Sequence, residues 1–260
     1  MFDENISDIE AMYTGRLRLL AHDVDCTNRW KLSSVFSNTQ EIANFNCKEY
    51  GLDWIRLRDC YDACYVLTRM KVKLFFYPGS SDVIRVNTWP GAKPRMIWTR
   101  YFSFETEDRQ QKIGEAVSQW VLINRTTRAL MKPADCHAVT PDTSHIPIPF
   151  TLDRGDFDFT PDRTLSRRVT YSDLDYNGHV NNARYVEWIM DLFPLEVFYQ
   201  SHVAEFDIKY EQEIRYGQRV MLAFRWDQEQ RRFFARGYSE EEGVTFFKAM
   251  GTMRENGEEI

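Results

Sequence analysis

The sequence contains the same order of predicted elements twice, and this internal repeat limits the folds open to the chain. A strand, a helix and four strands are predicted between residues 13 and 124, and the same order resumes near residue 163. Two short alignments support the repeat: HDVDCTNRW (22–30) matches SDLDYNGHV (172–180), and MKVKLFFYPG (70–79) matches FDIKYEQEIR (206–215). A length of 260 residues fits one large domain or two of roughly 130, and the repeat favours two.

A proline-rich segment separates the two copies. Residues 131–163 carry five of the nine prolines and show no sustained periodicity, which is typical of a connector. The expected division is a first domain at 1–133, a linker at 134–162 and a second domain at 163–260.

Each copy contains one strongly predicted helix. The first begins near Leu32 and stops at Gly51, where a glycine can take the left-handed conformation that ends helices. The second follows Asn181 and Asn182, which are good helix caps. The stretch 54–124 is interpreted as antiparallel strands, because it is rich in Val, Ile, Thr and aromatic residues between turn clusters.

Charge and hydropathy exclude some classes of function. The net charge of −6 argues against a general nucleic-acid-binding surface. No window reaches the ~18 uninterrupted apolar residues that a membrane span needs. The amino terminus, MFDENISDIEAMY, is acidic where a targeting peptide would be basic, so the expected location is the cytoplasm.

All five cysteines lie in the first 136 residues, at positions 26, 47, 60, 64 and 136. Their odd number and the absence of a CxxC pair predict reduced and mostly buried thiols. Cys60 and Cys64 are expected to pack in a strand rather than bind metal. No other metal-ligand spacing and no GxSxG, GxGxxG, Walker or HExxH motif occurs, so neither a metal nor a cofactor is expected.

The segment DLDYNGHVNN, between a strand and the second helix, carries a polar cluster. Asp175, Asn177 and His179 alternate, so in an extended segment their side chains would share one side. The start of the following helix offers backbone N–H groups suited to an oxyanion. The ordinary interpretation of the same residues is a turn and a helix cap.

Glu213 lies in KYEQEIRYG, near the predicted end of a strand. Alternation places it with other charged residues, so its ordinary interpretation is a solvated strand face. The first copy nevertheless has different residues at the positions aligned with Asn177, His179 and Glu213. It has Thr27, Arg29 and Tyr77 there.

The segment SDLDYNGHVNNARYVEW, with a glutamate 34 residues beyond its histidine, resembles the acyl-ACP thioesterases of plants and bacteria. NTWP (87–90) and SQWVLINRTTR (118–128) also resemble that family. The resemblance implies an α+β tandem, or double, hotdog fold, in which two antiparallel sheets are each wrapped around a central helix. It implies that the first copy, with a degenerate site, binds the acyl chain and that the second is catalytic.

Carried onto this sequence, the family's catalytic site corresponds to Asp175, Asn177, His179 and Glu213. The family often has a cysteine directly after the glutamate, but here that residue is Ile214. Catalysis would therefore use a carboxylate, an imidazole and an amide. Glu213, held by His179 and Asn177, would activate a water molecule or attack the thioester carbonyl directly. Asn177 would orient the base or the carbonyl, and Asp175 would position the loop and tune the imidazole.

The N–H groups of Val180 and Asn181, at the helix start, are expected to stabilise the oxyanion. The implied partner is an acyl carrier protein that bears an acyl chain on 4′-phosphopantetheine. Because carrier proteins are acidic, basic residues could contact the carrier, although the same residues could equally be solvated edge charges. The candidates are Arg125, Arg128, Lys132, Arg167 and Arg168.

Other functions remain open at this stage. The same fold serves acyl-CoA thioesterases and dehydratases, and a non-catalytic acyl-binding or regulatory module is an alternative of a different class. No helix-turn-helix pattern precedes residue 13 or follows residue 251, and a regulator that binds DNA would be expected to carry one. The sequence predicts neither the acyl chain length nor the oligomeric state, and a homodimer is kept open.

Overall fold

The computed structural model describes residues 11–92 and 95–257. Residues 1–10 of the acidic amino terminus, on which the expected location partly rests, lie outside these ranges. The strands are β1 (Tyr13–Arg18), β2 (Ala63–Leu74), β3 (Val83–Pro90), β4 (Ile97–Thr106), β5 (Lys112–Asn124), β6 (Leu130–Met131), β7 (Arg163–Arg168), β8 (Ser201–Tyr210), β9 (Arg219–Asp227), β10 (Arg232–Ser239) and β11 (Val244–Glu255). The helices are α1 (Leu32–Glu49), α2 (Trp54–Tyr61), α3 (Asn182–Met190) and α4 (Leu195–Gln200).

The strands form an antiparallel sheet in the order β1-β3-β4-β5-β2-β8-β11-β10-β9-β7, and the short β6 pairs with β5. The order divides into two equivalent halves, β1-β3-β4-β5-β2 and β7-β9-β10-β11-β8, which confirms the predicted tandem fold. The pairing of β2 with β8 joins the two halves edge to edge, from Arg69–Lys209 to Lys73–Glu205. The sequence did not predict this junction.

The two long predicted helices, α1 and α3, pack against the sheet and against each other. In α1 the apolar residues recur at helical spacing, so one face is buried, with Val35 and Phe36 completely enclosed. Phe36 meets Phe206 of β8 edge to face, with ring centroids 5.7 Å apart. One hydrophobic core therefore contains residues of both copies.

Two short helices were not predicted. The α2 helix lies where strands were expected, and it begins because the Asp53 side chain accepts the N–H groups of Ile55 and Arg56, at 3.0 and 3.3 Å. It ends at Asp62, whose φ of 49° is left-handed. The α4 helix follows Pro194, a residue that suits the entry to a helix.

The expectation that the cysteines are mostly buried was wrong. Cys47 and Cys136 are buried and Cys64 is half-buried, but Cys26 and Cys60 are exposed. Cys60 belongs to α2 and not to a strand, because the Asp53 cap starts a helix there. All five are free thiols.

The connector runs from His137 to Asp162 with no helix or strand, and it packs across the junction of the two halves. The Thr143 hydroxyl donates to the Pro90 carbonyl at 2.7 Å, and Phe157 is buried against the Arg69 guanidinium. No helix within residues 11–92 and 95–257 is long and apolar enough to cross a lipid bilayer.

Candidate active site

The loop before α3 is held by one side chain, Asp175. Its Oδ1 accepts the N–H groups of Asn177 at 2.8 Å and His179 at 3.4 Å, while its own N–H donates to the His179 carbonyl at 2.8 Å. Gly178 takes a φ of 78°, which suits a residue without a Cβ. These hydrogen bonds hold the loop in place, and a part for Asp175 in catalysis stays a prediction.

The first copy has the same backbone scaffold. Asp25 Oδ1 accepts the N–H groups of Thr27 and Arg29 at 2.8 and 3.1 Å, and Asn28 takes the left-handed conformation of Gly178. The two loops therefore differ in their functional side chains and not in their fold.

His179 and Glu213 come together, with His179 Nε2 3.3 Å from Glu213 Oε2. Glu213 lies in the loop between β8 and β9, because β8 already ends at Tyr210. The two loops are joined by a bridge between His179 and Arg215. The His179 and Glu213 side chains are only 21% and 28% exposed, so the solvated-strand interpretation of Glu213 was wrong.

The other oxygen of Glu213 pairs with the first copy. Arg128 Nη2 lies 2.5 Å from Glu213 Oε1. Arg128 sits in the turn between β5 and β6, where its φ of 62° is left-handed and its N–H donates to the Asn124 carbonyl at 2.9 Å. The sequence suggested a carrier contact for Arg128, but its guanidinium is paired with Glu213 inside the site.

Of the remaining basic candidates, Arg167 also has an internal role. Its Nη2 lies 2.9 Å from Oδ1 of the buried Asp173, and its guanidinium stacks over the Trp188 ring at 4.8 Å. It is therefore a structural residue, in contrast to its suggested carrier contact. The other three are exposed: Arg125, Lys132 and Arg168.

The predicted oxyanion donors are already occupied. The Val180 N–H donates to the Ile214 carbonyl at 2.8 Å, and the Asn181 N–H donates to the Asp173 carbonyl at 2.9 Å. Neither group can then also stabilise an oxyanion, so this prediction was wrong. Asn181 acts as the cap of α3, because its Oδ1 accepts the Ala183 N–H at 2.9 Å.

The Asn177 side chain is exposed and interacts with Tyr176. Within residues 11–92 and 95–257, no hydrogen bond joins it to His179 or Glu213, which disfavours the base-orienting role and leaves the carbonyl-orienting role as a prediction. Asn177 lines the same cavity as those two residues.

That cavity, of about 790 Å³, lies between the two copies. His179 and Glu213 of the second copy line this cavity together with Arg128 and Cys64 of the first copy. Burial raises the pKa of the Cys64 thiol, so it is protonated at neutral pH and is a poor nucleophile. The segment SQWVLINRTTR resembles the family, but nothing in its sequence indicates that its last residue, Arg128, reaches Glu213.

A second cavity, of about 530 Å³, continues from the first and shares its walls at Tyr65, Asp175 and Asn177. It extends along α1, with Gln40 near one end and Tyr50 near the other. Across the described ranges, no group of three or more His, Cys, Asp or Glu side chains is arranged to hold a metal ion.

Both copies match models of known protein families. The acyl-ACP thioesterase N-terminal domain matches residues 10–139, and the acyl-ACP thioesterase C-terminal domain matches residues 160–250. The two matches follow each other along the chain without overlap.

Curated relatives include an oleoyl-acyl carrier protein thioesterase of Coriandrum sativum, which is 28% identical over 163 residues, covering 58% of this chain and 44% of that protein. A palmitoyl-acyl carrier protein thioesterase of Gossypium hirsutum is 23% identical over 214 residues, covering 78% of this chain and 52% of that protein. The chain thus spans about half the length of these relatives.

Solved structures share the fold over nearly the whole chain. An acyl-ACP thioesterase from Bacteroides thetaiotaomicron superposes with a TM-score of 0.80 at 24% identity, covering 94% of this chain and 98% of that one. A 12:0-ACP thioesterase from Umbellularia californica gives 0.77 at 19% identity, covering 95% and 98%. With both domain models matched in order, the chain belongs to the acyl-ACP thioesterase family.

Proposed function

We propose that this protein hydrolyses the thioester of an acyl-acyl carrier protein and releases a free fatty acid. The observation that carries the proposal is the pair of His179 and Glu213 in a cavity built by both copies, with the carboxylate also held by Arg128. The relatives named as thioesterases act on acyl carrier proteins, which supports the same substrate class here.

The chemistry requires water to add to the thioester carbonyl and the carbon–sulfur bond to break. In the first route the Glu213 carboxylate takes a proton from water as the new carbon–oxygen bond forms, and the proton passes to the departing thiolate. His179 and Arg128 fix the orientation of the carboxylate. Asn177, which lines the cavity, is the amide that would donate to the carbonyl oxygen, in place of the occupied N–H groups of Val180 and Asn181.

In the second route Glu213 itself attacks the carbonyl carbon, expels the thiolate and forms an acyl anhydride that water then hydrolyses. Ile214, which follows Glu213 directly, has no thiol, and the Cys64 thiol in the same cavity wall is a poor nucleophile because burial raises its pKa. A covalent acyl group detected on Glu213 by mass spectrometry after rapid quenching would select this route over water activation.

The decisive test is the variant Glu213→Gln, which keeps the shape of the side chain and removes the base. We expect thiol release from acyl-acyl carrier protein to fall by ~10²- to 10⁴-fold. Glu229→Gln, an exposed glutamate in the turn between β9 and β10, is the matched control and should retain full activity. Normal turnover by a folded Glu213→Gln protein would rule out both routes.

The acyl carrier is tested by comparing three substrates: acyl-acyl carrier protein, acyl-CoA and a 3-hydroxyacyl thioester. Thiol release from the first alone supports the proposed substrate, release from the second alone indicates a CoA thioesterase, and loss of water from the third indicates a dehydratase. Arg125, Lys132 and Arg168 are exposed and are the proposed carrier contacts. Their replacement by glutamate should raise KM for the carrier-bound substrate and leave kcat unchanged.

The division into domains at 1–133, 134–162 and 163–260 is proposed on the same basis as before, the repeat and the proline-rich connector. The cytoplasmic location also stays a prediction. A homodimer is compatible with the proposal but is not needed for it, because one chain supplies every residue of the candidate site.

A further inference from the structure

The cavity of the candidate active site contains a buried tyrosine with no part in the chemistry described so far. Tyr185 of α3 is only 2% exposed, yet it lines this cavity together with His179 and Glu213. Its hydroxyl donates to no acceptor within residues 11–92 and 95–257. Some polar atoms in these ranges are enclosed without a partner, such as the Trp98 indole nitrogen, but the Tyr185 hydroxyl is not one of them. The hydroxyl therefore keeps contact with the open space of the cavity.

The phenol oxygen of Tyr185 lies beside the peptide bond that joins Glu213 and Ile214. The Ile214 N–H faces this oxygen, and the charge of Glu213 is close enough to act on the phenol. Because the Ile214 N–H belongs to that peptide bond, the hydroxyl is held next to the candidate base. An N–H group that approaches the oxygen leaves the hydroxyl hydrogen free to donate elsewhere.

Tyr185 keeps its hydrogen at neutral pH. Burial raises the pKa of the phenol well above its usual value, the Ile214 N–H opposes this shift only in part, and the charges of Glu213 and Asp175 add to it. The side chain is therefore a neutral donor at pH 7. A donor in an enclosed place is effective because little water competes for it.

Packing alone does not account for the hydroxyl. The Tyr185 ring meets Tyr210 and Phe247 edge to face, with centroids 5.3 and 5.2 Å apart, and a phenylalanine would make the same ring contacts. Tyr210 uses its own hydroxyl within the fold, because it donates to the Asn182 carbonyl at 3.0 Å. Of these two tyrosines, only Tyr185 has a donor that is available to a ligand.

The first copy lacks this hydroxyl. The helices α1 and α3 begin 150 residues apart, at Leu32 and Asn182, and this is also the offset of the aligned loops before them. The residue equivalent to Tyr185 is therefore Val35, whose side chain is completely enclosed. The candidate catalytic pair and the buried hydroxyl occur together in one copy, and all three are replaced in the other.

We propose that the Tyr185 hydroxyl donates to the thioester carbonyl oxygen and stabilises the negative charge that develops there. The proposal rests on the proposed function and adds a catalytic residue to it. When water or Glu213 adds to the carbonyl carbon, the π electrons of the carbonyl move onto its oxygen, and the hydrogen bond from the phenol becomes stronger. The proton stays on Tyr185, and the carbonyl re-forms as the carbon–sulfur bond breaks. Tyr185 is thus the enclosed donor that the occupied N–H groups of Val180 and Asn181 cannot provide.

Tyr185→Phe removes the hydroxyl and retains the ring. Loss of one oxyanion donor typically costs ~10²- to 10³-fold in kcat, and we expect this decrease in thiol release from acyl-acyl carrier protein, with KM nearly unchanged. Tyr77→Phe is the matched control. It removes another phenol hydroxyl, which donates to the Val203 carbonyl at 2.7 Å outside this cavity, so it should lower stability and leave kcat unchanged.

The binding of two non-hydrolysable pantetheine ligands with the same chain length separates a donor from a residue that only supports Glu213. One is a difluoromethylene ketone, in which CF₂ replaces the thioester sulfur, and its hydrate resembles the tetrahedral intermediate. The other is a thioether, which has no carbonyl oxygen. In calorimetry, Tyr185→Phe should bind the ketone about ten- to hundred-fold more weakly than the wild type does, and it should bind the thioether equally well.

Normal kcat in Tyr185→Phe would overturn the proposal. So would a loss of kcat with the wild-type preference for the ketone over the thioether retained, because that result indicates a structural role. If Tyr185→Phe does not fold by circular dichroism, a protein with 3-fluorotyrosine in place of Tyr185 decides. Its hydroxyl is a stronger donor, so the ketone should bind more tightly and the thioether equally well, and unchanged ketone binding would overturn the proposal.

Failure of the proposed function gives a different result. A protein that releases no thiol, but whose ketone preference is lost in Tyr185→Phe, contradicts only the hydrolase proposal. Loss of activity in Glu213→Gln together with normal kcat in Tyr185→Phe contradicts only this inference.

Discussion

The ion pair at the junction of the two copies provides the most direct test of how they are joined. Arg69 of β2 and Asp207 of β8 make two hydrogen bonds, of 2.9 and 2.6 Å, and their side chains are only 8% and 3% exposed. Arg69 also donates to the Asp153 carbonyl at 2.5 Å, which attaches the connector to the same point.

The expected effects follow from the burial of both charges. Asp207→Ala leaves the enclosed Arg69 guanidinium with only the exposed Asp153 carboxylate, at 3.6 Å, and breaking a buried pair in this way typically costs ~3–5 kcal/mol. Replacing both residues by Met and Leu removes the two desolvation penalties together, so the double variant should unfold within ~1 kcal/mol of the wild type or be more stable. Asp59→Ala, which removes the exposed partner of Arg58, is the control and should change nothing measurable.

Urea denaturation, followed by tryptophan fluorescence and by circular dichroism, measures these differences. The two signals should coincide in every variant, because the hydrophobic core contains residues of both copies. A cost below ~1 kcal/mol for Asp207→Ala, or a double variant as unstable as the single one, would refute the reasoning about buried charge. Two separate transitions would refute the shared core.

Further predictions concern the candidate site and its loop. Arg128→Met should lower kcat for thiol release by up to about five-fold, because a partly exposed ion pair is worth ~1 kcal/mol. Arg128→Lys should restore part of the lost activity. Unchanged kinetics in Arg128→Met would show that Arg128 does not position Glu213. Asn181→Ala should lower the free energy of unfolding by ~1 kcal/mol in urea, and no change would show that the cap is dispensable. Burial alone would raise the pKa of Asp173, but hydrogen bonds from Thr170 and the Arg167 guanidinium outweigh it and lower that pKa below the unfolded value of ~3.9. The carboxylate therefore stabilises the folded protein fully above pH ~3.9, and this contribution is lost as the pH falls through the lower folded pKa. Asp173→Asn should flatten the acid dependence of the melting temperature between pH 5 and pH 2, measured in thermal melts.

The repeat and the two central helices were predictable, because their signals are local. The aligned Asp23 and Asp173 each accept a hydrogen bond from the backbone N–H of the residue three positions earlier. In the sequence, both aspartates occupy the same place between a strand and a helix. The short helix α2 was missed although its cap, Asp53, was visible. Eight residues within a stretch rich in strand formers do not establish a helical period.

The errors at the candidate site have a common physical cause. The alternation of side chains along a strand would place Glu213 on a solvated face. This argument does not apply to Glu213, because β8 ends three residues before it. The helix-start N–H groups looked available because the sequence does not show that the carbonyls of Ile214 and Asp173 reach them. Arg128 meets Glu213 through the pairing of two half-sheets, a contact between distant segments that no local pattern encodes.

The first copy has the loop scaffold but not the residues of the candidate site. Arg29, which replaces the histidine, donates to the carbonyls of Phe198 and Ser201 in the second copy, at 3.1 and 3.2 Å. Tyr77, which replaces the glutamate, donates to the Val203 carbonyl at 2.7 Å. The positions equivalent to the candidate catalytic pair therefore hold the two copies together. The reciprocal contact runs from Arg128 of the first copy to Glu213 of the second. The residues that replace the pair in one copy and the residues that hold it in the other therefore both make contacts across the same junction.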